Sequence, residues 1–384
     1  MTRLIRTAFL TALSLAALGA AAAPAAAQAD LLVQLRTGSG PDVQDRFRVD
    51  SAGGVVAIGR IGYGIIPVSG AGVRLMWHPF KGAMRVGAAS AAGEFDDVNI
   101  GFHSFAGGNR TIANDWASFA FGDQVTVTGA SATGFGGNST VDGNFGFSAG
   151  SQNNCTGFVC TSIGFMANAN GQGAFALGYR TTADADYSYA LGRMASTNGH
   201  TGAFVWGDAS INDSVQASAN NQFTVRARGG IRLRTSTATS SAVGANANTG
   251  CDIPGNSGSM SCASSRTLKA NFLNVDGDDL LARIRRTPVS TWSYIGEDGN
   301  VRHMGPVAED FHAAFGLGTN ATTIGHLDID GVNFAGVKAL EARTTELQRQ
   351  VAERDRANAE LATRVTELEA RLARMEALLA RQPR

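Results

Sequence analysis

Ser264 and Lys269, five positions apart, are the residues of this 384-residue chain whose types and spacing can do covalent chemistry. A serine hydroxyl becomes a nucleophile when a nearby base takes its proton, and a neutral lysine amine can be that base. Withdrawing water from an ammonium favours the neutral form, and Leu268 and Phe272 are the apolar neighbours expected to do so. Spacing alone also fits the start of a solvated helix or strand. The four cysteines fall in two close pairs, Cys155 with Cys160 and Cys251 with Cys262. In an exported chain such pairs form local disulfides. Neither pair has companions at zinc spacing, so no metal site is expected. Asn274 to Asp279 is acidic, but Asp279 and Arg285 stand where a calcium loop needs Gly and Glu, which leaves a polar turn. His303 could orient a catalytic group or be a solvated strand residue. No glycine-rich phosphate loop or carboxylate pair is present, so no cofactor is expected.

The serine and lysine are followed by Trp292-Ser293-Tyr294, by Gly305-Pro306-Val307-Ala308-Glu309, and then by a heptad-patterned C-terminus. This ordered set resembles the intramolecular chaperone domain of phage tailspikes and endosialidases, a self-cleaving serine peptidase family. Its signature is Ser-Asp-x-x-x-Lys, an aromatic strand and a Gly-x-x-Ala-Glu/Gln segment. Ser265 stands where the family has Asp. The resemblance covers roughly residues 262–345. It implies cleavage just before the serine, at Ala263–Ser264, with Ser264 as nucleophile and Lys269 as base. The reaction would be a single turnover in cis, with no external substrate.

Residues 1–29 read as a secretory signal: Arg3 and Arg6, an apolar run from Ala8 to Ala23, and Ala27-Gln28-Ala29 before Asp30. No later segment holds about 18 consecutive apolar residues, so the mature chain is expected to have no transmembrane anchor. The expected location is a bacterial cell surface or its exterior. The 32 acidic and 32 basic residues balance, which argues against nucleic acid as a partner.

What must position the serine and lysine lies on either side of them. Gly108, Gly122, Gly136, Gly150, Gly164, Gly178 and Gly192 recur every 14 residues, with Gly207 following at 15. Phe119-Ala-Phe121-Gly, Phe175-Ala-Leu177-Gly and Tyr189-Ala-Leu191-Gly show the alternation of a short strand before a sharp turn. One such unit cannot bury its apolar face alone, so the units must stack into a solenoid. Leu177 and Leu191 are expected to point into the stack, with Arg180 and Thr182 in turns and Cys155–Cys160 stapling a turn. The repeat resembles the head of trimeric autotransporter adhesins, which implies a left-handed parallel β-roll in each of three subunits. A β-solenoid without a trimer is the alternative.

The expected organisation is mainly β: signal 1–29, an N-terminal β cap 30–99, and the β-roll head 100–207. A β segment and Ser/Thr/Ala/Gly linker follow at 208–262, a small α+β chaperone and self-cleaving domain at 263–336, and a coiled coil at 337–381. In the last, Val337, Thr344, Val351, Asn358, Val365, Leu372 and Leu379 hold position a, and Leu340, Leu347, Arg354, Leu361, Leu368 and Met375 hold position d. Arg364 with Glu369 and Arg371 with Glu376 occupy g and following e positions, where chains pair. The two resemblances both imply a homotrimer. The function expected is an exported trimeric fibre or adhesin, with an unknown protein or glycan ligand, whose chaperone assembles it and then cuts itself off. An uncleaved structural adhesin is one alternative. A prophage tail fibre is the other, and the signal argues against it.

Overall fold

Every 14 residues the chain completes one flattened coil. A five-residue strand such as Phe175–Tyr179 is followed, after a corner, by a two-residue strand such as Thr182–Ala183. Equivalent strands pair in parallel and in register from coil to coil, Gly178 opposite Gly164 and Gly192. This gives one sheet of eleven strands and one of eight, wound into a β-solenoid of about seven turns. The computed structural model describes residues 31–37, 44–235 and 249–380. The signal at 1–29 and most of the polar stretch at 235–250 lie outside the described residues.

The register differs from the expected one. Ala176 and Ala190 are fully buried, whereas Leu177 is 39% exposed. The small residue of each triplet faces inward and the two large ones face outward. The interior explains why. Its side chains are Ala120, Val125, Val127 and Ala132 in one coil and Ala176, Thr181, Ala183 and Ser188 in a later one, all essentially fully buried. Two sheets joined by short corners leave room for small side chains only, and close packing excludes a leucine there. Thr182 lies in a short strand rather than a turn.

Corners recur at every seventh residue from Arg110 to Met194, each with φ between 48° and 62°. Only Gly173 among them is glycine. Left-handed backbone is unfavourable for other residues, but each corner amide is held by the preceding coil: Arg180 donates to the Phe165 carbonyl at 2.8 Å and Tyr187 to that of Gln172 at 2.7 Å. The repeated glycines answer a different need. A Cβ on Gly150 would lie 2.0 Å from the Gly164 carbonyl oxygen.

Cys155 and Cys160 are bonded. Both are buried, and the bond closes the turn at 156–159 from the inside of its coil. The solenoid also runs past residue 207, because Val215–Gln216 joins the short-strand sheet and Phe223–Arg226 the long one. At its start, Gly72–His78 pairs antiparallel with Ala83–Ala89, which pairs in parallel with the first coil. The buried Arg85 guanidinium there donates to the carbonyls of Ala113 and Ser104 at 2.7 and 3.2 Å. Burial lowers its pKa to about 10, so it stays charged at neutral pH.

The described chain divides into two compact units at the Ala263–Ser264 bond. The second unit has three helices: α1 (Gly277–Arg286), α2 (Ala308–Phe315) and α3 (His326–Leu379). Leu280, Phe311 and Val332, one from each helix, form its buried core, with Phe315 and Ile329 against them. Gly277 lets α1 approach α3, since a Cβ there would stand 2.9 Å from the Ala339 Cβ. The heptad region is one continuous helix that begins eleven residues before Val337. At 1.5 Å per residue its 54 residues span about 81 Å. No described helix is long and apolar enough to cross a membrane.

Candidate functional site

The chain enters the site through a three-stranded antiparallel sheet, Gly230–Arg234, Gly250–Pro254 and Ser261–Cys262. Cys251 and Cys262 are opposite each other in that sheet and are bonded. The Ala263 amide donates to the Gly250 carbonyl at 2.9 Å. Ser264 comes next, and the backbone then makes one 3-10 turn, Arg266–Leu268. Ser265 caps that turn, its Oγ accepting from the Thr267 amide at 3.3 Å. Ser and Asp are near-equal helix caps, so a serine where the resembled family has Asp still closes the turn.

That turn brings the fifth residue back to the first. Lys269 Nζ donates to Ser264 Oγ at 2.7 Å. This is the distance a proton transfer between the two requires. Both side chains are exposed in the single chain. The expected apolar neighbours do not enclose them: Phe272 lies 5.0 Å beneath the Arg266 guanidinium and is 59% exposed, and Leu268 is half-buried. A turn this short has one side facing its own backbone, and no other described element covers the lysine.

The aromatic segment forms a strand, Ser290–Trp292, paired antiparallel with His303–Gly305. His303 packs against Trp292 at a 31° tilt with ring centroids 4.7 Å apart, and its Nε2 meets the Glu297 carboxylate at 3.0 Å. The Tyr294 amide and the His303 ring hold that carboxyl below its ordinary pKa against a smaller effect of burial. His303 is thus engaged by Glu297 rather than by Ser264 or Lys269. Glu297 carries no periodic or motif signal and was not legible beforehand. Ala308 and Glu309 open α2, where a carboxylate favours the positive end of the helix dipole. Asp276 caps α1 by accepting from the Asp278 and Asp279 amides at 2.9 and 3.0 Å, which accounts for the acidic run. Among the described residues no group of three or more His, Cys, Asp or Glu is placed to hold a metal.

No curated protein matches the chain. The family described as chaperone of endosialidase matches residues 264–316, from the serine of the pair to the end of α2. Residues 264–316 thus form a chaperone-of-endosialidase domain that follows in sequence the β-solenoid and the short three-stranded sheet.

Proposed function

We propose that the protein is an exported, homotrimeric surface fibre or adhesin whose C-terminal chaperone drives assembly and then cuts itself off before Ser264. The observation that carries this is the 2.7 Å contact between Lys269 Nζ and Ser264 Oγ, at the bond where the two compact units divide. Lys269 takes the Oγ proton, and Oγ attacks the Ala263 carbonyl carbon. The Ala263–Ser264 C–N bond breaks, and the Ser264 amine leaves with the proton returned by Lys269. The resulting ester is hydrolysed by water, which leaves a carboxylate on Ala263 and restores the Ser264 hydroxyl. The amine has to be neutral for the first step, and a lysine exposed in one chain acquires that environment from neighbouring chains. Cutting then depends on assembly.

A chaperone domain of this family implies trimer assembly. The unpartnered seam of α3 supports it: Leu347, Val351, Leu361, Val365 and Leu372 are each more than half exposed. Parallel structure with distant contacts forms slowly. Chains joined first at a coiled coil meet at high effective concentration. Removing the helper afterwards leaves the head kinetically trapped. The head presents outward Phe121, Phe135 and Trp206, and its ligand is a protein or a glycan. A phage tail fibre is the second reading, favoured by the family match at 264–316; the signal-like residues 1–29 favour export.

Intact mass and N-terminal sequencing test the cut. Two pieces are expected, 30–263 and 264–384, the second beginning Ser-Ser-Arg-Thr-Leu-Lys. Ser264→Ala should stay whole and still assemble. Lys269→Arg should stay whole because a guanidinium is effectively never neutral. A full-length wild-type trimer that persists for days after purification would leave the uncleaved adhesin as the better account.

A further inference from the structure

Past Gly207 the regular coil is interrupted, and the interruption walls a groove. In an ordinary coil two residues, 180–181, connect the long strand Phe175–Tyr179 to the short strand Thr182–Ala183. In a later one seven residues, 208–214, separate Phe204–Gly207 from Val215–Gln216. Two arginines hold that insertion in shape. Arg193 donates to the Ala209 and Ile211 carbonyls at 3.2 and 3.4 Å, and Arg226 to the Asp213 carbonyl at 2.5 Å. Insertions in a solenoid gather on one face, often the face that binds. Beside this one lies a groove of about 350 Å³, lined by Arg180, Thr182, Ser196, Ser214 and Gln216 among others, a volume in the range of ligand sites. We infer that this groove binds a carboxylated sugar of a polysaccharide, with Arg180 on the carboxylate. The inference rests on the reading of the head as a ligand-binding surface, and it names the place and the chemistry of the ligand.

Arg180 is the one charged side chain lining the groove, and no carboxylate lines it. Its guanidinium has no hydrogen-bond or ion-pair partner among the described residues. Arg110, at the equivalent corner of an earlier coil, is paired with Glu94 at 3.3 Å. A free guanidinium offers two parallel N–H donors that match a carboxylate. Asn168, Thr182, Ser196 and Gln216 stand in register on four successive short strands, about 4.8 Å apart. Their neighbours Ala169, Ala183 and Ala195 are buried, so these four side chains face outward. Amides and hydroxyls both donate and accept, which suits the ring hydroxyls of a sugar. Met166 and Met194 hold the corners on either side of Arg180 and give the apolar face of a sugar ring a surface to lie on. An inorganic anion would use the arginine and leave the polar row idle. A neutral sugar would use the row and leave the arginine unpaired. A carboxylated sugar uses both.

The test passes the full-length Ser264→Ala chain over immobilised polygalacturonate, its fully methyl-esterified form, dextran sulfate and dextran, with binding read by surface plasmon resonance. Polygalacturonate should be bound about tenfold or more tightly than the ester, which keeps the ring hydroxyls and loses the charge. Arg180→Gln should weaken that binding by about tenfold or more, as expected for a lost hydrogen bond to a charged group. Gln124 and Gln152 already hold equivalent corners at φ 54° and 58°, so the variant should melt as its parent does. Arg60→Gln removes an exposed arginine outside the groove and should bind as the parent does. An Arg180→Gln chain that binds like its parent, or no more weakly than Arg60→Gln, overturns the site. An ester bound as tightly as the acid overturns the carboxylate assignment. Dextran sulfate bound as tightly as polygalacturonate overturns it too, by reducing the contact to charge alone. Those outcomes leave a glycan-binding head standing. A chain that binds none of the four polymers overturns this inference and removes the support for a glycan as the ligand of the head.

Discussion

Gly178→Ala is the substitution whose cost the solenoid geometry determines most directly. Gly178 has φ +131°, and a Cβ there would stand 1.9 Å from the Gly192 carbonyl oxygen on the next coil. Contacts of that kind do not fall under 3.0 Å, so the backbones have to part by about 1.1 Å. The oxygen belongs to the sheet ladder between Phe175–Tyr179 and Tyr189–Arg193. The separation cannot be absorbed by a side-chain rotation. Holding alanine at that φ costs about 1–3 kcal/mol, and forcing the overpacked contact costs about 1–3 kcal/mol more. At about 2–4 °C per kcal/mol for a domain of this size, a loss near 4 kcal/mol lowers Tm by about 8–16 °C. Calorimetry in a Ser264→Ala background reads this with every chain at full length. Arg180→Gly is the matched control, two residues away at an exposed corner of φ 54°. It should change stability by no more than about 1 kcal/mol. A Gly178→Ala melt within about 2 °C of its background, or indistinguishable from Arg180→Gly, would refute the close-approach argument.

Three further outcomes follow from the same geometry. Ala176→Asp places an unpaired charge at a fully buried position and should abolish the cooperative melt of the head, whereas Leu177→Asp, on the outward row, should keep the coils folded and the melt cooperative; the reverse pattern would restore the expected register. The Asp208 carboxyl is held well below its ordinary range by the Ser210 hydroxyl, the Arg228 amide and Arg226, against a smaller effect of burial. A depressed carboxyl contributes stability above its unfolded pKa near 3.9 and loses it as pH falls below that value. The Tm gap between wild type and Asp208→Asn should therefore be full at pH 6 and shrink below about pH 4, and a gap constant from pH 6 to 3 would contradict the assignment. Arg354→Leu replaces the charged residue of the d row with one that buries about 1.5–3 kcal/mol of apolar side chain per chain, and should raise the Tm of the assembled tail; a lowered Tm would show that the seam is not the one assigned.

The repeat was legible because its cause is local. A glycine every 14 residues is demanded by the approach of one backbone to the next, and no other residue satisfies that demand, so it recurs in the sequence. The heptads of α3 were legible for a similar reason, since a long helix exposes its seam at a constant period. The corners were not legible. Arg110, Ala117, Gln124, Phe145, Val159 and Tyr187 all adopt φ near +55°, and they share no chemistry that a sequence could reveal. The amide bonds from the preceding coil impose that conformation, and they exist only once coils have stacked. Leu177 was misplaced because alternation tells which residues share a face, but not which face is inside. The narrow interior decided that, by admitting Ala176 and excluding leucine.

At the site, the spacing of Ser264 and Lys269 and the order of motifs behind them pointed to the pair, and residues 264–316 match the chaperone family from that serine onward. The sequence by itself determined which residue types were available, the 14-residue and seven-residue periods, and the pairs of cysteines. Only the tertiary structure decided that a single capped turn folds Lys269 onto Ser264, that Glu297 engages His303, and that a bonded strand ends two residues before the serine. The physical reason is the range of the interactions. Periods and caps are written between near neighbours, whereas the contacts of a corner, a core position or a cross-strand disulfide depend on segments that meet after the chain has folded.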